Sequence, residues 1–198
     1  MMERMNLFRV MLLMVAMLAA GSAVRAEDVV AGPKLTPHQM RDDTLDSLFA
    51  KLQRPASEDE AKQTESKIWQ AWSQSDSVTA DTLLNQAAIA MQLGENKASL
   101  TIIDQVLALY PTFAEAWNKR ATLEFSMGRY NDSLADIEKV LELEPRHFGA
   151  LSGRGMIYQA QGKWGEALSA FRSALVINPN MTGVKNAIRE IEKIQPEL

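Results

Sequence analysis

The side chains that most often carry catalysis or bind metals are scarce in this sequence of 198 residues. It has no cysteine and only two histidines, His38 and His147. The lack of cysteine excludes disulfides, thiolate zinc sites, iron–sulfur clusters and cysteine nucleophiles. Neither histidine has partners at the spacing of a zinc site or a Ser-His-Asp triad, and there is no glycine-rich phosphate loop, HExxH or GxSxG motif. We therefore predict a protein that is not an enzyme and has no cofactor and no metal.

Composition and charge narrow the class of partner. The chain is 46% hydrophobic and 23% charged, which is typical of a folded protein, and its net charge is -4. An acidic chain is a poor general binder of nucleic acid, so we predict no nucleic-acid partner. Asp136, Glu138 and Glu142 are spaced as on the solvated face of a helix. His147 is interpreted as a structural residue of a turn.

The first 26 residues have the pattern of a secretory signal peptide. Arg4 and Arg9 flank the start of an uncharged run over residues 10–20, which is too short for the roughly 20 residues of a membrane span. Small residues follow, so cleavage is expected after Ala26, with Ala23 as the alternative and an uncleaved anchor as a third possibility. We expect export across the inner membrane of a Gram-negative bacterium into the periplasm, without stable membrane insertion after cleavage.

A period of 34 residues organises most of the remaining chain. Turn-forming and apolar residues share this period, among them Gly94, Gly128 and Gly162; Pro111, Pro145 and Pro179; Leu100, Leu134 and Leu168; and Ile103, Ile137 and Phe171. Each unit is predicted to contain two helices, because apolar residues recur at helical spacing, each glycine can end the first helix and each proline stops the second. The predicted helices are 80–93, 97–110, 114–127, 131–144, 148–161 and 165–178.

This pattern resembles the tetratricopeptide repeat family, whose consensus is W-x2-L-G-x2-Y, then A-x3-F, then P over 34 residues. The third unit matches the consensus at Gly155, Tyr158, Ala167, Phe171 and Pro179, with Leu151 in the tryptophan position. The second unit retains Trp117 but replaces the glycine with Ala121. The resemblance implies an all-α solenoid of helical hairpins, twisted as a right-handed superhelix, with helical caps. Its units are 80–113, 114–147 and 148–181.

The segments beside the repeats are predicted to cover their apolar ends, since a solenoid needs capping segments. Residues 182–198 are predicted to form a C-terminal capping helix. Residues 44–79 are either an N-terminal helical cap or a degenerate repeat. Residues 27–43 are expected to form a flexible leader. Trp69 and Trp72 are interpreted as part of the cap, with an exposed docking pair as the alternative.

The resemblance also implies where a partner binds, because in this family the first helix of each unit lines a concave groove. Helical geometry selects the residues that lie off the packed stripe of each first helix. They are Asn85, Met91, Gln92, Asn118, Lys119, Thr122, Phe125, Ser126, Ser152, Met156 and Gln159. Their amide, hydroxyl and thioether groups suit a peptide partner. The alternative for Met91, Phe125 and Met156 is packing between repeats.

One known binding mode of the family is not supported. The carboxylate clamp for chaperone tails needs lysine, asparagine and basic residues where this sequence has Leu84, Ala88, Gly149 and Gly153. Arg120 and Arg154 are expected to have packed stems and paired heads. Glu124 is expected to pair with Arg120 within one helix, or with Arg154 of the next unit.

Together these patterns predict an exported adaptor or assembly factor that binds a peptide segment of a partner protein. Two alternatives stay open, a self-associating structural protein of the envelope and a chaperone-like holder of exported polypeptides. Homo-oligomerisation is compatible with each of them.

Overall fold

A computed structural model describes residues 37–197 of the chain. These residues form nine α-helices and no strand, in agreement with the predicted all-α class. The helices are α1 Pro37–Gln53, α2 Glu58–Trp72, α3 Val78–Gln92, α4 Asn96–Leu109, α5 Ala114–Ser126, α6 Tyr130–Leu143, α7 Phe148–Ala160, α8 Trp164–Ile177 and α9 Thr182–Ile194. The predicted signal peptide and residues 27–36 of the predicted leader lie outside the described residues.

Three glycines make the turn within each repeat. Gly94, Gly128 and Gly162 have φ values of 77°, 73° and 71°, which L-residues with a side chain rarely adopt. Each glycine follows the first helix of its unit, α3, α5 or α7, and the second helix, α4, α6 or α8, begins directly afterwards. The predicted pairs of helices and their glycine turns are therefore confirmed.

The core keeps the same register from one repeat to the next. Ile103, Ile137 and Phe171, spaced by 34 residues, are all buried. The hydroxyls of Ser99 and Ser133 donate hydrogen bonds of 2.8 and 2.7 Å to the carbonyls of Ala87 and Ala121 in the helix opposite. These buried hydroxyls are satisfied in the same way in two successive units, so serine replaces alanine there without leaving an unpaired donor.

The C-terminal helix covers the last repeat. Val184, Ile188 and Ile191 of α9 are buried against the core that contains Leu168 and Phe171 of α8. The opposite side of α9 bears charged residues, so the helix presents its apolar stripe to the repeat and its polar side to solvent.

The N-terminal helices α1 and α2 form a hairpin that packs against residues far along the chain. Helix α1 begins at Pro37 and so includes the end of the segment expected as a leader; proline fits the first helical position because its missing N–H would be unpaired there. The buried cluster of the hairpin consists of Leu45, Phe49, Leu52, Ile68, Trp72 and Phe148, with Ile177 and Met181 at its margin. The hairpin therefore lies at the second and third repeats, whereas a cap would lie on the first.

Candidate functional site

A small pocket lies between the first helices of the second and third repeats. Its volume is about 150 Å³. Its lining consists of Asn118, Ala121, Thr122, Phe125, Ser133, Ile137, Gly149, Ala150, Ser152, Gly153, Met156 and Ile157. Buried Ala121, Ile137 and Ile157 make the floor apolar. The pocket is open on this side because Gly149 and Gly153 of α7 have no side chains to fill it.

Five of the predicted groove residues line this pocket: Asn118, Thr122, Phe125, Ser152 and Met156. The other six lie outside it. They are Asn85 and Gln92, exposed on α3; Met91, packed on the core of the first repeat; Lys119 and Ser126 of α5; and half-buried Gln159 of α7. The alternative of packing between repeats describes Met91 and Phe125, which contact buried clusters. Met156 is 47% exposed.

The polar groups of the pocket are already bonded within the protein. The Asn118 side-chain amide donates to Glu115 Oε2 at 3.0 Å. The hydroxyls of Thr122 and Ser152 donate to the carbonyls of Asn118 and Gly149 at 2.9 Å each. Each hydroxyl keeps lone pairs that can accept a hydrogen bond. The rim of the pocket therefore offers acceptors more readily than donors.

A buried charged group lies directly behind the pocket. Glu115 and His147 are both almost fully buried, with 3.3 Å between Glu115 Oε2 and His147 Nε2. His147 Nδ1 accepts the Ala150 N–H at 3.0 Å, so Nε2 carries the proton and donates to Glu115. Burial alone would raise the pKa of Glu115, but the hydrogen bond from His147 and the charge of Lys119, whose Nζ lies 3.0 Å from Oε1, hold that pKa below its usual value. His147 is the structural turn residue that the sequence predicts.

The hairpin closes one end of this region through two tryptophans. The Trp72 ring stacks on His147 with 4.1 Å between ring centroids. A Cβ atom at Gly149 would overlap Trp69 Cη2, so only glycine allows Trp69 this close to α7. Sequence reasoning assigned Glu115 and Gly149 no role in the groove, and it placed the two tryptophans elsewhere. The only signal was the loss of a side chain at Gly149.

The opposite side of α5 carries an ion-pair network that joins three helices. The Arg120 guanidinium binds both oxygens of Asp136 and one of Asp104, each at 2.7 Å. Arg120 thus has the paired head that was expected. The predicted Arg120–Glu124 and Glu124–Arg154 pairs are wrong, because Glu124 Oε1 lies 3.4 Å from Arg129. Asp136 is buried in this network, so its predicted place on a solvated face is also wrong.

Glu124 is the weakly paired member of the network. Its Oε2 is buried without a hydrogen-bond partner. Burial, followed by the charge of Asp136, raises the pKa of Glu124 to about 7, against the opposing effect of Arg120 and Arg129. This carboxyl group therefore titrates near neutral pH.

The largest cavity lies away from the predicted groove, between the hairpin and the turn that joins the first two repeats. Its volume is about 880 Å³, and Leu45, Trp72, Tyr110 and Leu143 contribute to its lining. Arg146, also at its edge, is already paired with Glu144 and Asp46. The smaller pocket matches the predicted site better, because it combines an apolar floor with residues of two adjacent first helices.

Residues 37–197 contain neither a metal site nor a membrane span. No cluster of three or more histidines and carboxylates there has the geometry to hold a metal ion. No helix in that part of the chain has the length and hydropathy needed to span a bilayer.

Comparison with known proteins agrees with this architecture. Residues 118–182 match the family model described as tetratricopeptide repeat. The chain belongs to the tetratricopeptide repeat family. A TPR repeat-containing protein of Rhizobium etli is 39% identical over 79 residues, which are 40% of this chain and 39% of that protein. The chain thus spans about two fifths of the length of that curated relative.

Solved tetratricopeptide repeat domains share the fold at low sequence identity. The first TPR of Spaghetti (RPAP3), bound to the HSP90 peptide SRMEEVD, has a TM-score of 0.58 and 20% identity over 62% of this chain and 97% of that domain. The Sgt2 TPR domain of Aspergillus fumigatus has a TM-score of 0.57 and 18% identity over 61% and 82%. MamA has a TM-score of 0.56 and 18% identity over 75% and 84%. These likenesses establish the fold.

Proposed function

We propose that this tetratricopeptide repeat protein is a non-catalytic interaction module, and that it binds a peptide segment of a partner protein between α5 and α7. The observation that carries the proposal is the pocket of about 150 Å³ there. A cavity of roughly this size accommodates a group as large as benzene, so one aliphatic or aromatic side chain of the partner fits it. Met156 at the rim adjusts readily to different side chains because methionine is flexible and polarizable.

The chemistry of the rim favours a particular kind of peptide. Thr122 and Ser152 can accept hydrogen bonds from backbone N–H groups, as an extended segment presents them. Lys119 is already paired with buried Glu115, so it is a poor anchor for a terminal carboxylate. Leu84 is buried, and Trp69 lies against Gly149, at two of the positions where the family places its carboxylate clamp. We therefore propose an internal peptide segment with an apolar anchor, in contrast to the peptide in the RPAP3 domain.

The proposed site is tested by filling the pocket. In Gly153→Leu, the new Cβ meets only Ile137 Cδ1, at 3.6 Å, so leucine can extend into the pocket without displacing the backbone. Gly165→Leu on α8 is the matched control, since nothing lies within 4 Å of a Cβ there. Both changes replace a helical glycine with a strong helix former, so neither is expected to destabilise its helix.

Immobilised wild-type protein and both variants are exposed to the cell-envelope proteins of the source organism. The proposal predicts a partner that the wild type and Gly165→Leu retain and that Gly153→Leu loses by tenfold or more, which is about 1.4 kcal/mol. Retention of the same partners by all three proteins contradicts the assignment of the site. Circular dichroism checks that both variants are folded.

We also propose that the chain is exported to the periplasm, on the basis of residues 1–26. The test is N-terminal sequencing of the chain recovered from a Gram-negative host, where a start at Glu27 or Val24 is expected. A chain that keeps Met1 and stays in the cytoplasm contradicts this proposal. The result is independent of the peptide site.

A further inference from the structure

The first repeat leaves its stacking face uncovered. In the second and third repeats the corresponding face of the first helix is packed against the preceding repeat, and Leu123 and Ile157 are fully buried there. The residue in the same register of α3 is Ile89, which is 50% exposed. Leu93 and Val78 are 70% and 83% exposed. With Thr82 and Gln86 they are spaced by three or four residues, so they lie on one side of α3.

The N-terminal hairpin does not cover this face, because it is bound elsewhere. Gln53 donates to the Ile177 carbonyl at 2.6 Å, and the Asn180 side-chain amide donates to the Leu52 carbonyl at 2.9 Å. The Trp72–His147 stack adds an aromatic contact. Moving the hairpin onto α3 would break all of these contacts, so a different occupant is required.

The lack of charge on α3 indicates which occupant fits. Asp81 is the only ionisable side chain of this helix, and its carboxylate accepts a hydrogen bond of 2.7 Å from the Ser75 N–H. A two-fold contact brings the same patch of two copies together, so a charged patch would repel itself. A neutral apolar patch has no such penalty, and Thr82 and Gln86, the polar residues between its apolar ones, are uncharged.

We propose that the α3 faces of two copies of this chain stack on each other about a two-fold axis. Ile89 and Leu93 form the centre of the contact, and Val78 extends it. The opposite end of the repeats is closed by α9, whose apolar side is buried. With one open end for each chain, the contact closes on itself and yields a dimer, whereas two open ends would continue into a filament.

The test uses the full chain in sedimentation velocity over a wide range of concentrations. A wild-type dimer is expected, and Ile89→Lys with Leu93→Lys should weaken self-association by about tenfold or more, because it places four lysines in the contact. The matched control is Leu109→Lys with Val176→Lys, which changes two equally exposed apolar residues outside α3 and should leave the dissociation constant within about twofold. A monomeric wild type overturns the proposal, as does a dimer that the α3 variant leaves intact.

A cysteine variant gives a second test that does not depend on tolerance of lysine. Since the chain has no cysteine, Ile89→Cys with a short bifunctional maleimide should cross-link two copies, and Val176→Cys should not. A monomer in which the thiol of Ile89→Cys is protected from maleimide would assign the face to the chain's own hairpin. A monomer in which this thiol reacts freely would leave the face to a different protein. Either result overturns the proposal.

Discussion

Two buried glutamates of the same helix behave in opposite ways. Glu115 near the start of α5 and Glu124 near its end are both almost fully removed from solvent. The pKa of Glu115 is lowered, whereas the pKa of Glu124 is raised to about 7. Asn118, Lys119 and His147 surround the first carboxylate. Burial alone therefore does not set the charge of a side chain here, and the number of donors aimed at it does.

The difference separates a settled region of the molecule from a strained one. Behind the pocket, each charge has a partner and the side chains are held in place, which gives the candidate site a rigid base. On the opposite side of α5, Arg120 is fully engaged by Asp136 and Asp104, and Glu124 is left with a long contact to Arg129. Substitutions on the two sides should therefore change stability with opposite signs.

The largest effect is expected for His147→Ala. It removes the donor to Glu115, the acceptor for the Ala150 N–H and the ring that stacks on Trp72. Breaking a buried charged contact commonly costs about 3–5 kcal/mol, so the free energy of unfolding should fall by that amount at pH 7. Urea denaturation measures it. A loss under about 1 kcal/mol would mean that the contact between Glu115 and His147 does little to hold the fold.

Glu115→Gln should have the next largest effect and a distinctive dependence on pH. The folded-state pKa of Glu115 is depressed, so ionised Glu115 stabilises the fold above its unfolded pKa, and this stabilisation is lost as the pH falls through the folded value. We expect a loss of about 2–3 kcal/mol at pH 7, typical of hydrogen bonds to a charged group. The difference from wild type should shrink below about pH 4. A difference of equal size at pH 3 and pH 7 would contradict the lowered pKa.

Glu124→Gln should have the smallest effect, with the opposite sign. Because the folded-state pKa of Glu124 is raised to about 7, the folded chain loses stability as the pH rises between about 4.5 and 7. Glutamine carries no charge to bury, so the variant should be more stable than wild type by about 1–2 kcal/mol at pH 8. The two proteins should be equally stable near pH 4. Thermal unfolding at both pH values checks this, and a destabilised variant at pH 8 would show that the ionised carboxylate is favourable.

The repeats were predictable because they depend on local order. Gly94, Gly128 and Gly162 and the apolar residues between them keep one spacing, and each unit folds largely on its own helices. The helical ends follow from glycine and proline chemistry, which acts within a few residues. Ile103 and Ile137 could therefore be placed in the core from the sequence alone.

The partners of polar side chains were harder to predict, since they come from other helices. Arg120 reaches Asp104 and Asp136, each 16 residues away. No helical periodicity reports that distance, so the spacing of Asp136 with Glu138 pointed to solvent. The position of the hairpin was hidden for the same reason, because Trp72 and His147 are far apart in sequence. In the groove, the lining residues were accessible to sequence reasoning, but the internal bonds of Asn118 and Thr122 were not.

The docking of the hairpin also determines how the chain unfolds. A stack of repeats usually loses its units one at a time, because each unit contacts only its neighbours. Here the hydrogen bonds from Gln53 and Asn180 join residues 124 and 128 positions apart, and so close a loop around the first two repeats. The hairpin cannot leave without exposing the side of the third repeat, and the third repeat cannot fray without releasing the hairpin. The chain should therefore unfold in one cooperative step that is slow to reverse, since its last contacts to form are the most distant in sequence.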